Sequence, residues 1–179
     1  KGQYQAVVGQ TDCSLCDAGL FSIVEGSSAS SDCGECGTGN YQADSGQSEC
    51  DLCAVGKYLN TTGKSDESYC TQCSAGQYQT GTGKSECILC SAGTFNPDEG
   101  SKTTGSCKSC AEGQYSDTDG VSKCKKCVKG TYLTSHGSDD ATYCTACPAG
   151  EYSTTKGATK AAACKDCDKG QFQHEEKKT

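Results

Sequence analysis

A tandem array of small disulfide-rich β-hairpin modules, stacked into an elongated rod with no helices of note and no single hydrophobic core, is the fold class this sequence predicts. Three observations predict it. All 18 cysteines fall in Cys-x-x-Cys pairs, and each pair is followed at a fixed distance by Gly-x-aromatic. Apolar side chains are also too scarce for an ordinary core: the 179 residues include no Trp, no Met and only 3 Phe. A chain this polar cannot offset the entropy of ordering it by apolar burial alone, so cross-links must hold it.

The repeat is legible residue by residue. The first cysteines of the pairs are Cys13, Cys33, Cys50, Cys70, Cys87, Cys107, Cys124, Cys144 and Cys164, in steps of 20 and 17 residues that alternate until a final 20. Three residues after each second cysteine stands a glycine, from Gly19 to Gly170, and two further on an aromatic, from Phe21 to Phe172. Five beyond that lies a second glycine, from Gly26 to Gly157. The three-residue difference between steps falls after this second glycine, where an exposed loop tip tolerates insertion. Residues 1–12 keep the same register through Gly2, Tyr4 and Gly9. The domain reading is therefore a partial module at 1–12, an array over 13–167 and a partial module at 168–179.

Two fixed glycines imply two backbone positions that need positive φ or close approach. The segment between them, as in Gln77-Tyr78-Gln79, reads as a short strand, and the stretch after the second glycine as its return. The aromatic is expected to lie over the staples as the one sizeable apolar group. One module is not stable alone, and stacked modules cover each other's faces.

Charge narrows the partners. Sixteen Lys, no Arg and 23 acidic residues give a net charge of −7, which lacks the basic face and Arg forks of nucleic-acid binding. The acidic sign suits solubility and repulsion between copies. The sequence contains no membrane-spanning run, and it starts in mid-repeat at Lys1-Gly2-Gln3-Tyr4. No acid, base and nucleophile constellation is visible around His136, Glu25 or elsewhere, so no enzyme and no cofactor are expected. Acidic pairs such as Asp98-Glu99 and Asp139-Asp140 follow no repeated spacing and read as solvated surface rather than calcium ligands. The tail Glu175-Glu176-Lys177-Lys178 reads as a frayed, charged end.

Paired Cys-x-x-Cys motifs also fit zinc knuckles. Against an intracellular zinc array stand the odd number of nine pairs, the uniform loops, and the absence of His136 or His174 from any knuckle. The alternation of 17 and 20 is the point in its favour. A redox-active Cys-x-x-Cys needs a thiolate at a helix N-terminus in a βαβ setting, which the pattern lacks. Disulfide connectivity does not follow strictly from sequence, but a repeat most economically bonds the second cysteine of one pair to the first of the next. That gives Cys16 with Cys33, Cys36 with Cys50, Cys53 with Cys70 and Cys73 with Cys87. It continues with Cys90 to Cys107, Cys110 to Cys124, Cys127 to Cys144 and Cys147 to Cys164. Loops of this size each stabilise by about 3 kcal/mol in the chain-entropy model.

The register C-x2-C-x2-G-x-[YF]-x4-G resembles the ephrin-receptor-like cysteine-rich repeat. It is also similar to the first sub-module of tumour-necrosis-factor-receptor repeats and to cysteine-periodic coat antigens of ciliated protists. The resemblance spans the chain and implies the same cysteine pairing, an extracellular setting, and a use in spacing, adhesion or recognition. The sequence departs from the family in having proline after the knuckle only at Cys147-Pro148.

This pairing leaves Cys13 and Cys167 for an intermolecular or out-of-window disulfide. Lys1-Gly2-Gln3-Tyr4-Gln5 repeats Lys169-Gly170-Gln171-Phe172-Gln173, so the array either continues in a longer repeat chain or associates with itself head to tail as a filament. Asn60-Thr61-Thr62 is a glycosylation sequon in an expected exposed loop, and Ser and Thr at the loop tips are further glycan candidates. The function expected is thus that of a secreted or cell-surface structural glycoprotein: a rod, stalk, coat or filament subunit. The alternative is a receptor or adhesin ectodomain binding a protein ligand, with Tyr69, Tyr143 and the Ile88-Leu89 knuckle as candidate contacts.

Overall fold

Every strand among the described residues is two residues long, because the chain between consecutive cysteine pairs is too short and too rich in glycine to extend further. The computed structural model describes residues 1–169, so Gly170, Phe172, His174 and the charged tail lie outside the described residues. Among the described residues there are nine two-stranded sheets. Leu20–Phe21 pairs antiparallel with Gly34–Glu35, Asn40–Tyr41 with Asp51–Leu52, and Lys57–Tyr58 with Thr71–Gln72. The same register recurs through Thr131–Tyr132 with Thr145–Ala146 and Glu151–Tyr152 with Lys165–Asp166.

The return strand is therefore not the stretch after the second glycine. It is the x-x dipeptide inside the next Cys-x-x-Cys, which carries no alternation because a two-residue strand has none to show. The stretch after the second glycine turns the other way and bonds to the preceding module: Gln42 N–H donates to Lys64 O at 2.9 Å and Leu59 N–H to Lys84 O at 3.0 Å.

The longer loops differ from the shorter by one 3-10 turn. Ser30–Asp32, Glu67–Tyr69, Thr104–Ser106, Ala141–Tyr143 and Ala161–Ala163 each end at the residue before a closing cysteine. All five lie in loops whose cysteines are 17 residues apart, and none in those 14 apart. Asp66 and Asp140 cap two of them, accepting from Ser68 N–H at 2.8 Å and Thr142 N–H at 2.7 Å. Their carboxyls are held below the usual aspartate range, Asp66 by the Ser68 hydroxyl and then its N–H, and Asp140 by the Thr142 N–H and then its hydroxyl.

Two compact units divide the chain. The first comprises Lys1–Ser74, Tyr78–Ile88 and Glu99–Thr104; the second takes Ala75–Gln77, Leu89–Asp98 and the chain from Gly105 onward. In the first, Cys53, Leu59 and Cys70 form a buried cluster with Tyr41 packed against it. In the second, Cys127, Leu133 and Cys144 do the same with Tyr115. These are equivalent positions two 37-residue super-repeats apart. Each cluster is a disulfide with one leucine, which is all the core the composition permits.

Candidate functional site

No catalytic constellation or metal cage organises the described residues; what recurs is a backbone-bonded staple, built the same way in each module. The second cysteine of each pair from Cys16 to Cys147 is fully buried. Its N–H donates back to the first glycine's carbonyl, as Cys53 N–H does to Gly39 O at 2.9 Å. That glycine's own N–H donates to the next module, Gly39 N–H to Leu59 O at 2.7 Å. The second glycine closes the pattern, with Gly83 N–H on Cys53 O at 2.8 Å. Gly39 has φ +79 and is buried, and a Cβ there would run into the carbonyl of Gly83. Side chains are excluded from this position by both conformation and space.

The disulfides in the first unit are Cys16–Cys33, Cys36–Cys50, Cys53–Cys70 and Cys73–Cys87. Those in the second are Cys90–Cys107, Cys110–Cys124, Cys127–Cys144 and Cys147–Cys164. Cα separations run from 5.5 Å at Cys90–Cys107 to 5.8 Å at Cys36–Cys50, ordinary for a disulfide. Sulfurs bonded in this way are not zinc ligands. Cys13 is exposed and Cys167 half-buried, both as free thiols.

Sequence reasoning missed one position. The register aromatics, from Tyr4 to Tyr152, are only half-buried. From Phe21 on, the residue after each aromatic is the one that is enclosed: Ser22, Gln42, Leu59, Gln79, Asn96, Ser116, Leu133 and Ser153. Where that residue is polar, it bonds to its own loop. Gln79 Nε2 donates to Glu86 O at 2.8 Å while its Oε1 accepts from Gly81 N–H at 3.0 Å, and Gln42 ties Glu49 O and Asp44 N–H in the same manner. Asn96 Oδ1 accepts from Asp98 N–H of its own loop at 3.2 Å, and its Nδ2 donates across to Gln77 O of the preceding module at 2.9 Å. Buried polar groups are tolerated when satisfied, so the position accepts either leucine, at Leu59 and Leu133, or a hydrogen-bonded polar residue. No hydropathy pattern marks it; the signal was its fixed place after the aromatic.

Asn60 is exposed, directly after buried Leu59, and two residues on Thr62 Oγ1 donates to Glu35 Oε2 at 2.7 Å. Tyr69 and Tyr143 stand exposed on the 3-10 turns, with Lys64 Nζ 4.8 Å from the Tyr69 ring centroid. Ile88 and Leu89 are exposed as well. The hydroxyl of half-buried Tyr41 is pushed above the usual tyrosine range by burial first, then by the carboxylates of Glu67, Asp51 and Asp66. His136 is exposed. Of the acidic pairs, Asp140 is engaged as a cap rather than held for a ligand. No helix among the described residues is long and apolar enough to cross a membrane.

This geometry defines a class: a tandem array of disulfide-stapled cysteine-rich modules joined through backbone hydrogen bonds. Residues 56–107 and 101–144 match the family model described as tyrosine-protein kinase ephrin type A/B receptor-like. Residues 56–144 are thus similar to ephrin-receptor-like cysteine-rich repeats, and the same register runs on either side of them. Such repeats are of non-catalytic, receptor-ectodomain type. With eight disulfides, which persist in oxidising compartments, the protein is an extracellular disulfide-rich repeat protein. No curated protein matches the chain.

Proposed function

We propose that this chain is a structural spacer of the cell surface or extracellular matrix, a stalk, coat or filament element whose stiffness comes from staples in series. The observation that carries the reading is uniformity. The bond from the first glycine N–H to the carbonyl after the next aromatic recurs from Gly2–Ser22 to Gly130–Ser153 with N···O distances of 2.7–2.9 Å. A chain stapled at every step and bonded onward at every step resists bending and stretching, and needs no cofactor or substrate. Cys13 and Cys167 supply disulfides through which the array continues into a second copy or a longer chain, and Asn60 carries an N-glycan on this surface.

Small-angle scattering of the oxidised chain tests the spacer. A compact chain of this length has a radius of gyration of about 16 Å, and the spacer is expected to scatter as an elongated particle at least about twice that value. A radius near the compact one, unchanged by dilution, would refute it. A second reading, a receptor or adhesin ectodomain with a protein ligand, draws on the exposed Tyr69 and Tyr143 at equivalent turns. It predicts that Tyr69→Ser and Tyr143→Ser abolish cell-surface binding while leaving the scattering profile unchanged.

A further inference from the structure

Two successive 37-residue super-repeats differ at three positions that the backbone holds together. Leu89, Ala92 and Asp119 in one become Lys126, Lys129 and Lys156 in the next. In the earlier one the three residues meet on one spot. Asp119 Oδ1 accepts from the Ala92 N–H at 2.8 Å, and Leu89 lies over Gly120, whose N–H donates to Cys90 O at 2.7 Å. The same frame is kept in the later one. Gly157 N–H donates to Cys127 O at 2.9 Å, and the Lys126 stem lies over Gly157, its Cδ 3.2 Å from where a Cβ would stand. The carboxylate, however, has gone. Lys156 stands in the place of Asp119, and the Lys129 N–H has no acceptor among the described residues. All of these residues belong to the second unit.

Lys126 and Lys156 are exposed and Lys129 half-buried, and none of the three is ion-paired with a described residue. Neighbouring Lys125 is taken by Asp117 at 2.6 Å and contributes no free cation. The seven residues from Lys123 to Lys129 hold four lysines, with no acidic residue between Gly120 and Gly130. Lys123 is unpaired among the described residues, and it lines a hollow of about 440 Å³ between Gly120 and Lys125. Like charges gathered on one frame raise the local concentration of anions, and an unpaired turn N–H adds a donor for an oxyanion.

We propose that the frame of Lys126, Lys129 and Lys156 binds a sulfate group of an extracellular sulfated polysaccharide, the oxyanion taking the position that the Asp119 carboxylate holds in the preceding super-repeat. The sulfate accepts from the Lys129 N–H and offers its other oxygens to the three ammonium groups, in charge-assisted bonds of the stronger kind. Lys123, three residues before Lys126, takes a neighbouring anionic group, so a polymer is held where a single ion binds weakly. Short basic stretches of this kind suit nucleic acid or heparin-type ligands. The extracellular compartment removes the first, and anionic lipid is concentrated on the cytoplasmic leaflet. The inference goes beyond the spacer role and needs only the extracellular setting.

Calorimetric titration of the oxidised chain with heparin tests the site. Saturable binding is expected at about 50 mM salt and should be lost by about 0.5 M, since exposed charges are screened. Lys129→Gln with Lys156→Gln should weaken it at least about tenfold. Lys102→Gln with Lys108→Gln removes the same charge elsewhere and should leave affinity within about twofold. Lys156→Asp restores the carboxylate of the preceding super-repeat, and should bind more weakly than Lys156→Gln. An unchanged disulfide map shows that each variant has folded. No binding at low salt overturns the proposal. So does equal weakening by the two double variants, or equal affinity for fully desulfated heparin. Tighter binding to polyglutamate or to anionic lipid vesicles than to heparin overturns it too, as does saturation by inorganic sulfate at the concentration where heparin saturates.

Discussion

Replacing Gly39 by alanine is expected to destabilise the first unit by about 3 kcal/mol, combining left-handed strain with overpacking against backbone. The added methyl meets the carbonyl of Gly83, which is itself held by its N–H on Cys53 O, so neither side can yield without breaking a bond between modules. Gly26→Ala is the control. Gly26 has φ +71 and open space around it, so it should lose only about 1 kcal/mol, the conformational part. Denaturant unfolding with disulfides intact, read by amide exchange at Cys53 and Gly83, distinguishes them. Equal losses at the two glycines would mean that close approach between modules contributes nothing.

Removing the Cys53–Cys70 staple as a double alanine variant is expected to cost about 3 kcal/mol from loop closure, with a further loss from the vacated core. Both cysteines are buried beside Leu59, with Tyr41 over them. Cys36 and Cys50 close a loop of similar length, 14 rather than 17 residues, but Cys50 is only half-buried. The entropic part is therefore nearly equal, and the Cys53/Cys70 variant should be the worse of the two by the packing part alone. Because repeat arrays open locally, the loss should appear at the Leu59 and Gly83 amides and leave the Cys127–Cys144 cluster protected. Uniform loss of protection across the chain would show instead that the array folds as one cooperative block.

Much of this was readable in the sequence because cysteine and glycine leave chemical marks that few other constraints mimic. Gly39 and Gly83 could be placed at special backbone positions from their spacing alone, and the nine cysteine pairs announced a covalent fold. Two features were not readable. Return strands such as Gly34–Glu35 and Lys125–Lys126 are exposed at both residues, so no apolar residue is required of them. The enclosed position after the aromatic accepts Leu59, Gln79 and Asn96 alike, because burial there is satisfied either by an apolar side chain or by one that closes its own hydrogen bonds. The 3-10 turns were visible only as three extra residues; their caps, Asp66 and Asp140, look like any loop aspartate until the Ser68 and Thr142 amides are seen to point at them.

Peptide mapping without reduction, after free thiols are blocked at low pH, tests the central claim most directly. The account predicts eight cross-linked peptides, from Cys16–Cys33 through Cys147–Cys164, with Cys13 and Cys167 either blocked or joined to each other between copies. Scrambled bridges, or free thiols throughout with stoichiometric zinc, would contradict the fold, the compartment and the spacer role together.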